Sequence, residues 1–123
     1  MKTLGELEAR IMQVLWHRSE PATVRTVHGE LTREREIAYT TVMTVMDRLA
    51  RKGMLRRDLR GRAFAYEPAV SEARYTAQLM HKLLAASRDR RGALAHFVGR
   101  MRKTDGAELL RLAEEAARRK RGK

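Results

Sequence analysis

The stretch from residue 39 to residue 53 reads Tyr39-Thr40-Thr41-Val42-Met43-Thr44-Val45-Met46-Asp47-Arg48-Leu49-Ala50-Arg51-Lys52-Gly53. Its apolar residues recur at the i, i+3, i+4 and i+7 spacing of a helix packed on a core, namely Val42, Val45, Met46 and Leu49. Gly53 follows where a left-handed cap would end the helix. The stretch therefore predicts a core-packed helix, and the rest of the chain is interpreted around it.

The outer face of this helix carries small hydroxyls and one thioether, followed by arginines. Small donors and methyl groups can contact base edges in a DNA major groove, while arginines reach phosphate. The alternative is a surface helix of low propensity, since threonine is a poor helix former. Three threonines within residues 40–44 favour the groove. The candidate DNA-binding residues of this helix are Tyr39, Thr40, Thr41, Met43, Thr44, Arg48 and Arg51.

Two shorter helices are predicted before it. Residues 4–17 place Leu4, Leu7, Ile11, Val14 and Leu15 on one face, and Trp16 is expected to anchor the core from the helix end. Thr23 stands at an N-cap position before a short helix with Val24, Val27 and Leu31 inward. The charged residues 32–36 then lead into the central helix. This spacing is typical of a helix-turn-helix, whose second helix reads DNA.

A β-hairpin is predicted after the central helix. Residues 54–60 and 62–67 alternate roughly every second residue, Gly61 separates them, and Pro68 ends the second strand. Arg60 and Arg62 lie at the tip, and Phe64 is expected in one core with Trp16, Val27, Val45 and Leu49. Residues 48–62 hold seven Lys or Arg against one acid, Asp58. Such a run is usually a solvated surface, but on a helix end and a hairpin together it predicts phosphate contacts, with Arg60 and Arg62 as candidates. Residues 1–70 are thus predicted to form a winged helix-turn-helix domain.

Residues 71–123 form three amphipathic segments and are predicted to be a helical dimerisation domain. The first helix opens at Ser71 and Glu72 and runs to about Arg88, and breaks are expected at Gly92 and over residues 104–106. The tail 118–123 has five basic residues in six and is expected to fray. These helices could fold back on the winged domain or pair with a second copy, and pairing is favoured because it supplies two half-sites. The candidate dimerisation residues are Tyr75, Leu79, Leu83, Leu94, Phe97, Val98, Met101, Leu109 and Leu112. The predicted fold class is mainly α with a small hairpin wing.

Charge points to a polyanionic partner. Among 123 residues, Lys and Arg outnumber Asp and Glu by 27 to 15, giving a net charge of +12. Nucleic acid is the first candidate and a membrane surface the second, but no apolar run approaches the ~20 residues of a spanning helix. Acids lie near the N-terminus where a signal peptide would be apolar, so a cytoplasmic protein is expected. The absence of cysteine excludes disulfides and thiolate metal sites.

Catalysis and cofactors are not expected. His17, His28, His81 and His96 never fall at metal-ligand spacing, and neither a nucleophile elbow nor a glycine-rich phosphate loop is present. Asp47 and Glu30 are interpreted as helix-surface acids or partners of nearby arginines. Six aromatic residues are too few for the stacking platforms of single-strand binders.

Several motifs along nearly the whole chain match one known pattern, most densely over residues 23–68. They are Leu4-Gly5-Glu6-Leu7-Glu8, Val14-Leu15-Trp16, Thr23-Val24-Arg25-Thr26-Val27-His28, Tyr39-Thr40-Thr41-Val42-Met43-Thr44-Val45-Met46, Arg48-Leu49, Lys52-Gly53 and Phe64-Ala65-Tyr66-Glu67-Pro68. On these residues the chain resembles the penicillinase repressor family (BlaI/MecI type), and its actinobacterial members above others.

The resemblance implies a winged-helix homodimer that binds an operator dyad and blocks transcription, often of a β-lactamase or membrane sensor gene. It also implies that Thr40, Thr41, Met43 and Thr44 face the major groove while the hairpin approaches the flanking backbone. Staphylococcal members have arginine at the position of Met43, so a different base preference is expected here.

Family members are inactivated by a sensor protease that cuts an Asn-Phe bond in the C-terminal half, and the matching pair here is His96-Phe97. A copper-responsive branch carries paired cysteines, which this chain lacks. Two functions stay open from sequence: a sequence-specific dimeric repressor, and an architectural protein that coats DNA without reading it. The exposed groups expected at Thr40, Met43 and Thr44 favour the first.

Overall fold

A computed structural model describes residues 4–122. The elements in chain order are α1 (Glu6–Trp16), β1 (Ala22–Thr23), α2 (Val24–Leu31), α3 (Tyr39–Arg51), β2 (Leu55–Arg60), β3 (Ala63–Pro68), α4 (Glu72–Ala86), α5 (Arg90–Gly99) and α6 (Lys103–Arg121). The predicted fold class, mainly α with a small hairpin wing, is confirmed. The chain forms two compact units, and the boundary between them falls inside α4, after Met80. The predicted domain limits of 1–70 and 71–123 stay a prediction.

The core of the first unit is built by the inward faces of α1, α2 and α3. All four apolar residues that the helical spacing of α3 placed inside are buried there. Side chains that are almost completely enclosed come from all three helices: Ile11, Met12, Leu15, Val27, Leu31, Val42, Met46 and Leu49. This packing fixes the rotation of α3 about its own axis, and with it the side chains that face outward.

The N-cap predicted for α2 and the left-handed cap predicted at the end of α3 are both present. The Thr23 hydroxyl accepts a hydrogen bond from the Thr26 amide at 3.2 Å and so caps α2. Gly53 has φ +83°, the left-handed conformation that lets the chain leave α3 without the steric cost a Cβ would bring.

The wing is a hairpin within a three-stranded antiparallel sheet of order β1-β3-β2. Arg60 pairs with Ala63, which leaves Gly61 and Arg62 as a two-residue turn. Gly61 has φ +66°, consistent with the type II′ turn that matches the twist of the strands. The sequence did not reveal β1, because two residues carry no periodic signal.

The expectation that Phe64 lies in the core is wrong. It pairs with Leu59 near the hairpin tip, beyond the reach of the helical core, and it is 41% exposed.

Trp16, by contrast, packs against the core as predicted. Its indole N–H donates to the Val70 carbonyl at 2.9 Å, and its ring lies 5.8 Å from that of Tyr75, whose hydroxyl accepts from the Leu4 amide at 3.3 Å.

Two predicted interruptions in the C-terminal half are also wrong. Gly92 lies in the first turn of α5, where its amide donates to Asp89 Oδ1 at 2.9 Å, and a Cβ there would come within 2.1 Å of the same carboxylate. Residues 104–106 lie in the first turn of α6. Polar and glycine residues therefore begin these helices rather than break them.

The expected fraying of the basic tail is not found over residues 118–121, because α6 continues to Arg121. Lys123 lies outside the described residues. The last turn of α6 holds four basic residues, Arg118, Arg119, Lys120 and Arg121. Positive charge is favourable at this end, where the helix dipole is negative. No helix in the part of the chain that the structure describes is long and apolar enough to cross a membrane.

Candidate nucleic-acid interface

The outer face of α3 is exposed and largely uncharged in its first half. Thr40, Thr41 and Thr44 are exposed, and Met43 is 44% exposed. Tyr39 and the two arginines, Arg48 and Arg51, continue the same exposed surface toward the two ends of the helix. The structure thus brings all seven candidates from this helix to its solvent side, opposite the four buried residues.

Two features leave polar groups of α3 open to an incoming partner. The exposed Thr44 hydroxyl donates to the Thr40 carbonyl at 2.9 Å, so its oxygen can still accept a hydrogen bond. Ala38 precedes the helix and provides no side-chain cap. Amides of the first turn can then be satisfied by an outside acceptor such as phosphate.

His28 positions the start of α3. Its Nε2 donates to the Ile37 carbonyl at 2.8 Å, and its ring meets that of Tyr39 edge-on at 5.5 Å. This contact connects α2 to the end of the turn that precedes α3. Sequence reasoning considered His28 only as a metal ligand and missed this role.

Asp47 joins the wing to α3. Its carboxylate accepts a hydrogen bond from Arg57 of β2 at 2.7 Å and forms an ion pair with Arg51 at 3.0 Å. The Arg57 guanidinium also lies 4.5 Å from the centre of the Phe64 ring. Its polar neighbours, first the Tyr66 phenol and then the Asp47 carboxylate, raise the pKa of Arg57, which is a permanent cation.

The sequence contained a signal for this contact. Arg57 is two residues from Leu55 in the alternating pattern, so it lies on the same face of β2 as that buried residue. A cation on that face needs an acceptor, and Asp47 is the acid of the preceding helix.

Glu8 holds the end of α3 against α1. It is only 8% exposed, and it accepts from Lys52 Nζ at 2.8 Å and from the Gly5 amide at 3.0 Å. Burial alone raises the pKa of Glu8, but Lys52, the Gly5 amide and the charge of Arg48 together outweigh it, so the pKa is lowered. Lys52 is thereby engaged within the fold.

The charged turn between α2 and α3 is also tied to α1. Arg35 approaches Glu6 at 3.6 Å, and Arg10 pairs with Glu34. These exposed pairs are individually weak, but they connect the turn to α1 at two points.

The basic residues of α3 and the wing divide into two groups. Arg51 and Arg57 share Asp47, and Arg56 pairs across the strands with Glu67 at 3.5 Å. Within residues 4–122, Arg48, Arg60 and Arg62 are exposed and form no ion pair. These three guanidinium groups are free to bind phosphate.

The predicted dimerisation residues lie on α4, α5 and α6, except Met101, which lies between α5 and α6. In α4, α5 and α6 no described residue is buried. Phe97 and Val98 are 49% and 51% exposed, and the other large apolar residues that are exposed in these helices are Met80, Leu83, Leu94, Leu109, Leu110 and Leu112. Leu79 and Met101 are half-buried. Tyr75 differs from the others, since it contacts Trp16 within the first unit.

The pair His96-Phe97 lies inside α5, and both residues are exposed. Among residues 4–122, no three His, Asp or Glu side chains are grouped closely enough to hold a metal ion.

Comparison with known proteins agrees with this arrangement. The chain is 45% identical over 113 residues to the transcriptional regulator BlaI of Mycobacterium tuberculosis, an alignment covering 89% of this chain and 81% of that protein. It is similar to the solution structure of the DNA-binding domain of the repressor BlaI, with 31% identity, a TM-score of 0.53, and coverage of 61% of this chain and 94% of that one.

A second similar structure is that of Bacillus licheniformis BlaI in its monomeric form, in complex with the blaP half-operator. The identity is 30% and the TM-score 0.51, over 60% of this chain and 89% of that one. The sequence profile described as penicillinase repressor matches residues 4–117. Its members are regulators rather than enzymes, as the sequence predicted. The chain therefore belongs to the penicillinase repressor family of DNA-binding transcriptional regulators.

Proposed function

We propose that the protein is a sequence-specific transcriptional repressor that binds an operator dyad as a homodimer. Thr40, Thr41, Met43 and Thr44 contact base edges in the major groove, with Tyr39 at the helix start. Arg48, Arg60 and Arg62 bind the flanking phosphates, joined by Arg51. The observation that carries the proposal is the exposed, uncharged first half of α3, on a helix whose other face is held in the core.

This surface favours base reading over DNA coating. A sequence-blind binder relies on positive charge, whereas threonine and methionine are uncharged and neutralise no phosphate. Uncharged groups on a fixed helix can instead discriminate hydrogen-bonding groups and thymine methyls. The half-operator bound by the monomeric form of the Bacillus licheniformis relative supports one copy per half-site.

The homodimer is proposed from the C-terminal helices. Their exposed apolar side chains are spread over all three helices, and a second copy would bury them on both subunits at once. At roughly 25 cal/mol per Å², a few hundred Å² of apolar burial contributes several kcal/mol. Two linked half-site readers then bind a dyad far more tightly than one.

Release is proposed to follow cleavage between His96 and Phe97 by a membrane sensor protease, with a β-lactamase or sensor-protease gene under control. Phe97 and Val98 belong to the apolar surface assigned to the dimer, so a cut there weakens pairing and leaves the reading helix intact. Because the bond lies within α5, this helix must unwind locally before a protease can bind it.

Operator binding would place the protein with chromosomal DNA in the cytoplasm.

The test of the reading function starts from the full-length protein and a pool of randomised duplexes. We expect selection to converge on a dyad and footprinting on it to give a protected window of defined length. A matched pair of duplexes, the selected dyad and its scrambled sequence, should differ in affinity by a factor of about 10³ or more. Uniform protection and equal affinities would refute base reading and leave the architectural function.

The test of release uses cells exposed to a β-lactam, with the protein followed by intact mass. We expect two fragments separated at His96-Phe97 as transcription rises. Derepression with the chain still at full length would contradict cleavage and indicate a ligand or a modification.

A further inference from the structure

Asp47 is an acid on the exposed side of the proposed reading helix, four residues after Met43. An acid at this position repels DNA phosphates and so lowers the affinity for DNA, unless it has another role. It is half-buried and forms ion pairs with two arginines on different elements, Arg51 at 3.0 Å and Arg57 at 2.7 Å. The three groups together carry a net charge of +1 rather than the +2 of two free arginines.

The position of the Arg57 side chain on the wing is also fixed by its neighbours. Arg57 is held from one direction by the Asp47 carboxylate and from another by the Phe64 ring at 4.5 Å. Its strand neighbour Asp58 points to the other face of β2 and makes no ion pair within residues 4–122. Arg57 is therefore the point where the wing and the reading helix are connected by charge.

We propose that Asp47 is a specificity-determining residue. It keeps Arg51 and Arg57 from binding phosphate indiscriminately, and it fixes the wing relative to the outer face of α3. The inference rests on the proposed function, since it concerns discrimination between an operator and other DNA.

Occupying the two arginines and fixing the wing affect binding to the operator and binding to other DNA differently. Affinity for any DNA depends on the number of phosphates neutralised, so a carboxylate that occupies two arginines lowers it for every sequence. Operator binding also requires the wing and α3 to reach their contacts together, and a fixed connection favours that geometry. Asp47 should therefore weaken binding to scrambled DNA more than binding to the operator.

The experiment measures the affinity of the full-length protein for the selected dyad and its scrambled duplex over a range of salt concentrations. For Asp47→Asn we expect tighter binding to the scrambled duplex, with a salt slope steeper by about one unit for each additional phosphate that the arginines neutralise. The ratio of operator to scrambled affinity should fall about tenfold. Such ratios typically lie between about 10³ and 10⁷, so a clear preference for the operator should remain. Asp47→Glu keeps the charge and should restore most of the ratio.

Asp58→Asn is the matched control, because it removes one carboxylate next to Arg57 on β2 without breaking an ion pair of the described residues. It should strengthen binding to both duplexes alike and leave their ratio unchanged. Arg57→Gln approaches the same contact from the wing. It should weaken binding to the scrambled duplex, opposite to Asp47→Asn, and yet lower the ratio as well. The double variant should lose no more of the ratio than either single one, since both remove one interaction.

An unchanged ratio in Asp47→Asn, or an equal fall in Asp58→Asn, would overturn the inference while leaving the repressor function in place. A wild-type protein with no preference for any duplex would overturn the proposed function, and this inference with it. Thermal unfolding of each variant separates a change in binding from a loss of fold.

Discussion

Thr44 lies on the exposed face of α3, one turn after Thr40, and its hydroxyl already donates to the backbone. If it contacts a base edge, Thr44→Ala should lower operator affinity by roughly 1–3 kcal/mol, the usual contribution of a good base contact. Binding to the scrambled duplex should not change, because the number of phosphates that the protein neutralises stays the same. Competition between the two duplexes measures both quantities.

Thr76→Ala is a suitable control, since Thr76 is an exposed helical threonine of α4, outside the proposed reading surface. Equal losses on operator and scrambled duplexes for Thr44→Ala would contradict its assignment to base reading.

Glu8 gives a prediction about pH and stability. Its pKa is lowered in the folded protein, so its carboxylate stabilises the fold above the unfolded pKa, and this stability is lost as pH falls. Glu8→Gln should lower the free energy of unfolding at pH 7 by about 1–3 kcal/mol, because Lys52 loses its charged acceptor. The difference from wild type should shrink as the pH falls below the ordinary glutamate pKa of 4.5.

Chemical denaturation at several pH values measures this difference. Glu6→Gln is the control, because Glu6 is exposed and its partner Arg35 lies 3.6 Å away. A gap between wild type and Glu8→Gln that stays constant down to a pH of about 3, below the ordinary range of glutamate, would show that Glu8 acts through packing rather than charge.

Single residues also show where sequence reasoning ended. The inward and outward faces of α3 followed from one uninterrupted helical period, a local property of the chain. Pairs such as Asp47–Arg57 and Glu8–Lys52 join residues of different elements. The sequence indicated arginine partners for Asp47, but which charged residues meet depends on how the hairpin and α1 pack on α3.

Among the elements, the wing offers the clearest test of phosphate binding. Arg60 and Arg62 flank Gly61 and form no ion pair in the described residues, so their full charge is available to DNA. Arg60→Ala and Arg62→Ala should each weaken binding to operator and scrambled duplexes equally. The salt slope should fall by about 0.9 for each phosphate that the variant no longer neutralises.

Arg18→Ala removes an exposed arginine that lies just after α1, outside α3 and the wing. It should change the salt slope less than either wing variant does. A loss confined to the operator in Arg60→Ala would instead indicate that the wing reads bases.

Helix boundaries were predicted well where a cap and an apolar period agreed, as at Thr23. They were predicted poorly in the C-terminal half, where glycine next to polar residues was interpreted as a break. Gly92 shows the physical reason, since its missing side chain makes room for the capping Asp89 carboxylate. The same residue types end one helix and begin another, and only the position of the flanking apolar residues distinguishes the two cases.

At the scale of the whole molecule, the proposed dimer depends on the C-terminal helices. A fragment ending at Met80 should fold, because it retains the helical core, the sheet and Tyr75. We expect it to be monomeric and to bind the operator far more weakly than the full chain, since the second half-site no longer contributes. Sedimentation and operator titration measure the two properties.

A shorter fragment ending at Val70 serves as the comparison. It also lacks the C-terminal helices, but without Tyr75 the Trp16 ring has no aromatic partner, so the fragment should be monomeric and less stable by about 1 kcal/mol or more. If the fragment ending at Met80 were dimeric at micromolar concentration, the dimer contact would have to be assigned to the winged unit.

Trp16 is the only tryptophan of the chain, and its hydrogen bond to Val70 and its contact with Tyr75 both belong to the first unit. Its fluorescence is thus a built-in reporter of that unit alone, while far-ultraviolet circular dichroism reports all helices. If the C-terminal helices are ordered by pairing, the circular dichroism transition will move with protein concentration. The emission transition will not move. The unlabelled protein therefore has separate optical signals for unfolding of the first unit and for pairing of the C-terminal helices.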